Sequence, residues 1–146
     1  MLRGNALAKV DGKGRLKLPA AFRTHVESTF GTDFFITSIR GESARIYPMP
    51  VYAEVEERLA KSSSLSPKLN KLRITLNYYG QRAAMDAQGR LLVHPLLRDA
   101  AKISGEVSVL GMQNFLEVWN HDRFVKTVMA APLTDDDLQE LSEFGF

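Results

Sequence analysis

Two aspartates each stand four positions before an arginine: Asp11 before Arg15, and Asp86 before Arg90. A glycine, Gly14 or Gly89, precedes each arginine. An aspartate could be catalytic in principle. It can also brace a tight turn by accepting backbone N–H groups. An arginine four positions on can bond that aspartate across the turn. It can instead take a phosphate bidentately or read O6 and N7 of guanine. A glycine-bearing turn needs no catalysis to explain its aspartate, so the bracing role is favoured for Asp11 and Asp86.

Other chemistry is thin. His25, His94 and His121 lie far apart and lack metal-ligand spacing. No G-x-S-x-G, H-E-x-x-H or P-loop pattern occurs. Glu54, Glu56 and Glu57 belong to an amphipathic stretch, where a solvated face is the default reading. No catalytic residue, no metal site and no cofactor are expected, and the chain does not read as an enzyme.

The elements that position these groups are duplicated. Asp11 and Asp86 are 75 positions apart. Aligning Val10–Arg23 with Met85–Arg98 gives fourteen positions, five of them identical: Asp, Gly, Arg and Leu in the motif, then Arg23 with Arg98. Downstream, FFITSI and EVSVLG both read as strands. SARIYPMPVYAEVEERL and FLEVWNHDRFVKTVM then each run from strand through an aromatic into helix, at an offset of 72. Units of about 45 residues are too small to bury a good core alone, so the two are expected to pack as a pseudo-twofold pair. The boundaries are a first unit over 5–50, linking helices over 51–80, a second unit over 81–124 and a helical tail over 125–146.

Each unit should open with a hairpin whose left-handed position is Gly14 or Gly89. Pro19 and Pro95 then start a helix. Alternation places Lys13, Arg15 and Lys17 on one strand face, which is costly to bury and suits DNA. In the second unit Gln88 and Leu92 replace Lys13 and Lys17. Ser66 and Pro67 read as N-cap and first residue of a linking helix carrying Leu65, Leu69, Leu72, Leu76 and Tyr79, with Gly80 as its stop. Val51, Val55 and Leu59 form a stripe on the helix before it. Thr134 and Asp137 form a capping-box-like start to an acidic helix.

The bulk numbers suit a globular chain of 146 residues, 45% hydrophobic and 25% charged. With no cysteine, disulfides and thiolate metal sites are excluded. MLRGNALAKV lacks the apolar core of a signal peptide, and no apolar run approaches a membrane span. The net charge is only +2, but basic residues concentrate in 1–25 and 61–82 and acids in the tail. Such polarisation fits a polyanion partner and equally fits solvated surface.

DGKGRLKLPAAFR and DAQGRLLVHPLLR, with MLRGN at the start and YPMP in the middle, resemble the MraZ family, with its two tandem SpoVT-AbrB-like units. The likeness covers nearly the whole chain; His94 departs from the small residue or proline usual before that helix. It implies an α+β, mainly β fold, with two swapped-hairpin units forming a pseudo-dimeric, double-psi-like barrel flanked by helices. It implies a ring-shaped homo-oligomer on short direct repeats of double-stranded promoter DNA, upstream of the division and cell-wall gene cluster, mostly as repressor. A cytoplasmic, nucleoid-associated location follows, with no membrane partner. The family's motif carries onto Asp11, Arg15, Asp86 and Arg90.

The DNA contacts expected are Arg15 in the lead, with Lys13, Lys17 and Arg3 in support. Arg90 is either a second DNA contact or a structural mimic of Arg15. The other class of function is an antitoxin-like interaction module whose acidic tail fills another protein's basic site.

Overall fold

The computed structural model describes residues 1–62 and 65–146. Ser63 and Ser64, inside the expected 51–80 segment, lie outside the described residues. The first hairpin pairs β1 (Asn5–Val10) with β2 (Arg15–Lys17), and α1 (Ala20–Phe30) follows. A second hairpin, β3 (Asp33–Thr37) and β4 (Ala44–Pro48), leads into α2 (Met49–Ala60) and then α3 (Pro67–Tyr79). The second copy repeats the plan with β5 (Gln81–Ala84), β6 (Arg90–Leu92), α4 (Pro95–Ala101), β7 (Gly105–Gly111), β8 (Leu116–Asn120) and α5 (His121–Arg123). A π-helical turn, Phe124–Met129, and α6 (Asp135–Glu140) complete the chain's main elements.

All eight strands join one antiparallel sheet in the order β5-β3-β4-β8-β7-β1-β2-β6. Its edge strands β5 and β6 come into contact, so the sheet is a nearly closed barrel. Four strand pairings cross between the copies: β1–β7, β3–β5, β2–β6 and β4–β8. Neither copy therefore has a sheet of its own. This is the physical answer to units too small for a core. Leu16 and Leu91, equivalent in the repeat, pair directly across β2–β6 and are both fully buried. Arg45 and Glu117, equivalent at the offset of 72, pair directly across β4–β8. A pseudo-twofold axis runs through both pairs. The barrel interior is apolar, with Phe34, Ile36, Ile46, Leu97 and Val109 among its buried side chains. Outside it, Tyr47, Val51 and Tyr52 form a second buried cluster, with Phe35 stacked 4.2 Å from Tyr52.

Several expectations need adjusting. Helical segments hold more residues than strands, so the fold is mixed α+β rather than mainly β. Pro19 is the N-cap of α1, one position before the helix, whereas Pro95 is its first residue in α4. Lys13 lies in the turn and not on β2. Leu65 is 89% exposed and precedes α3, leaving Leu76 as the buried residue of that stripe. Gly80 follows α3 with an extended φ of −80°, not a left-handed one. A Cβ there would come within 2.3 Å of the Phe35 ring, so close packing accounts for this glycine. Ser66 caps α3 through the Leu69 amide, and Thr134 and Asp137 make a full capping box on α6.

Candidate nucleic-acid interface

The two turns share one hydrogen-bond frame. Asp11 Oδ1 accepts from the backbone amides of Lys13 at 2.9 Å and Arg15 at 3.0 Å, and Oδ2 accepts from Arg15 Nε at 2.7 Å. Asp86 repeats this with Gln88 N at 2.9 Å, Arg90 N at 2.9 Å and Arg90 Nε at 2.8 Å. In each, chiefly the backbone N–H of the arginine holds the carboxyl below its usual range, with partial burial opposing. Gly14 and Gly89 take φ of 83° and 78°, the left-handed region an L side chain resists.

The turns are also locked across the axis. A Cβ on Gly14 would fall 1.6 Å from Arg98 Nη1, and one on Gly89 2.8 Å from the Arg23 side chain. Arg23 also donates from Nη2 to the Ala87 carbonyl at 3.0 Å. The arginine of each copy thus packs beneath the other copy's turn. Sequence reading assigned Arg23 and Arg98 no role; their identity at aligned positions was the available signal.

Arg15 and Arg90 point outward. Leu16 and Leu91 fill the interior, so the alternating residues of β2 and β6 face solvent. The Arg15 and Arg90 side chains retain 33% and 28% exposure. Only Nε of each is engaged, leaving the terminal guanidinium nitrogens without a partner among the described residues.

This outer face holds two rows related by the axis. Lys17 lies directly opposite Arg90, and on its other side one step beyond the Val10–Leu16 pair brings Lys9. Lys9, Lys17 and Arg90 therefore form a cationic row across three strands. The companion row is Arg15, directly opposite Leu92, then Ala84 on β5. Like charges placed opposite each other destabilise a sheet. Exposed Arg82, next to Ala84 on β5, adds to the positive face. Lys9 and Arg82 were missed from sequence. Strand parity signalled their outward aim, but only the tertiary structure shows that β1 pairs with β2 and that β5 lies against β6.

Not every expected contact converges. Lys13 stands exposed at the turn tip and Lys17 joins the cationic row. Arg3 precedes β1, roughly 20 Å of extended strand from the Asp11 turn, where neighbouring Leu2 bridges to Gln113. The histidines stay apart. His94 caps α4 by accepting from the Leu96 amide, and His121 bonds the Ser108 hydroxyl at 2.7 Å. Among the described residues no cluster of acids and histidines could hold a metal ion, and no helix is long and apolar enough to cross a membrane.

Comparison with known proteins agrees over nearly the whole chain. A family model described as MraZ protein, antitoxin-like, matches residues 1–73 and 80–140. A protein of Acidobacterium capsulatum named transcriptional regulator MraZ is 46% identical over 145 residues, 99% of each chain. Its namesake in Koribacter versatilis is 43% identical over 146 residues, again 99% of each. One from Escherichia coli O9:H4 is 31% identical over 145 residues, 96% of this chain and 95% of its own. MraZ is a family of regulators and not of enzymes. With the doubled Asp-x-x-x-Arg turn, the two matched segments and full-length relatives in agreement, the chain belongs to the MraZ family.

Proposed function

We propose that this chain is a sequence-specific regulator that binds double-stranded DNA through the outer face of β1, β2, β6 and β5. The observation that carries the reading is the row of Lys9, Lys17 and Arg90. Lys9 faces Glu106 on β7 and Arg90 is paired with Asp86, while Lys17, between the two cations, is in no ion pair among the described residues and is placed to meet a phosphate. A two-stranded ribbon fits the major groove, where Arg15 can present its two free nitrogens to guanine. Asp11 holds Nε and aims the guanidinium, limiting the side-chain freedom lost on binding. Lys13 extends the positive face at the turn tip, and Arg3, which precedes β1, stands at the other end of that strand.

The rest of the reading follows the family. The two units are swapped-hairpin, double-psi-like halves spanning 5–50 and 81–124, joined by 51–80 and followed by 125–146. The protein assembles as a homo-oligomeric ring on short direct repeats, and represses the division and cell-wall gene cluster from its cytoplasmic, nucleoid-associated position. One copy offers few phosphate contacts, so a ring engaging several repeats gains through effective concentration. Exposed apolar side chains on the tail, Leu138, Leu141 and Phe144, and Ile74 and Tyr78 on α3, are surfaces such an assembly could cover.

The test is a gel-shift of the protein against the DNA upstream of its own gene, beside sedimentation to count subunits. Retarded bands that weaken steeply with salt are expected, and no shift at low salt defeats the proposal. The antitoxin-like description of the family and the exposed acidic α6 favour a second reading, in which the tail docks on a basic partner protein. Deleting residues 134–146 separates the two. The DNA reading keeps binding per protomer, and the docking reading loses its partner.

A further inference from the structure

The two rows of the outer face are mates under the axis, yet their chemistry has diverged. Lys9 is matched by Ala84, Lys17 by Leu92 and Arg90 by Arg15. One row holds three cations, with Glu106 directly opposite Lys9 at its end. The other has a single arginine beside two apolar side chains. Leu92 is 54% exposed and sits directly opposite Arg15. A lysine stem would shield such a position and keep its charge in water. Leucine does neither. It borders a groove of about 470 Å³ lined by Ala83, Ala84, His94 and Pro95, with Gln81 and Arg82 also in its wall. The matching groove beside β2 has Lys9 and Lys17 in its wall and is smaller, about 270 Å³.

In the major groove, aliphatic side chains recognise the C5-methyl of thymine, as guanidinium recognises guanine. Directly opposed residues in an antiparallel pair hold their Cβ atoms about 5 Å apart. Arg15 and Leu92 are such a pair. That separation is on the order of one to two base-pair steps at 3.4 Å per step. The two rows are about 7 Å apart along the strands, so one can follow a phosphate backbone while the other reaches base edges.

Resting on the DNA reading above, we infer that Leu92, with Ala84 beside it, seats a thymine methyl one or two steps from the guanine read by Arg15. Leu92 is then a specificity-determining residue, and the loss of a lysine from this row is what allows a base, rather than a phosphate, to be read there.

The experiment compares two versions of the upstream DNA, one amplified with dTTP and one with dUTP, which lacks every thymine methyl. Wild-type protein and Leu92→Ser are titrated against both. Wild type should bind the uracil DNA roughly fourfold more weakly for each protomer engaged, the worth of one buried methyl. Leu92→Ser should bind both alike, near the wild-type value for uracil DNA, and Leu92→Met should restore the difference. Any effect of uracil on DNA shape acts on all three proteins equally and cancels in the comparison. A wild-type ratio of one, or the same ratio in wild type and Leu92→Ser, overturns the inference and leaves DNA binding standing. A Leu92→Ser protein with changed sedimentation and an unchanged ratio places Leu92 between copies of the chain, which also overturns it. Failure of wild type to bind either DNA at low salt removes the DNA reading itself, and this inference with it.

Discussion

The Asp11 and Asp86 turns differ by no more than 0.1 Å in the three hydrogen bonds that hold them. The side chains displayed around them are another matter. The first turn carries Lys13 at its tip and leads into Lys17; the second carries Gln88 and leads into Leu92. Duplication has kept what holds the barrel and changed what the barrel displays. The physical cause is placement. A turn carboxylate, a left-handed glycine and an axis leucine each have one arrangement that works. An outward side chain touches only solvent or a partner and is free to diverge.

That contrast predicts which substitutions should cost the same in both copies. Leu16→Ala and Leu91→Ala each open a cavity at the axis and should each cost about 2–5 kcal/mol in urea unfolding. Costs differing by more than about 1 kcal/mol would break the symmetry of the interior. Gly14→Ala and Gly89→Ala should come next, at about 1–3 kcal/mol each, because both force a side chain into positive φ and displace an arginine from the other copy. Thermal melts of the two should agree.

For the display residues the copies should part. Arg15→Ala should lose about 1–3 kcal/mol of DNA affinity per protomer and relax discrimination at one base pair. Arg90→Ala should weaken all sequences evenly and flatten the salt slope by about 0.9. Binding titrations on matched and mutated sites distinguish them, and identical behaviour would return the arginines to a shared structural role. The smallest effect concerns pH. Both carboxyls are held below their usual range when folded, so their contribution is complete above the unfolded pKa of about 3.9 and is lost as pH falls through the lower folded value. Melting temperature should therefore drop on the acid side, and Asp11→Asn and Asp86→Asn should flatten that drop to equal extents.

Asp11, Gly14 and Arg15 could be read in the sequence because every bond joining them spans four residues or fewer. The same holds for Ser66 and Pro67 at α3 and for the Thr134 box. The repeat itself was visible as identity at a fixed offset, and two units too small to fold alone implied that they must combine. How they combine was not local. Arg23 and Arg98 aligned in sequence, yet their partners are turns 64 or more residues away. Parity aimed Lys9 and Arg82 outward, and Arg3 looked equally available. Only the pairing of β2 with β6 and of β1 with β2 set Lys9, Lys17 and Arg90 in one row and left Arg3 at the far end. The chain alone thus determined the turns, the caps and the duplication, whose energies come from near neighbours. Strand order, and with it the meeting of cations on one face and of Leu92 with Arg15, comes from burying two incomplete sheets in each other, which no short stretch of sequence encodes.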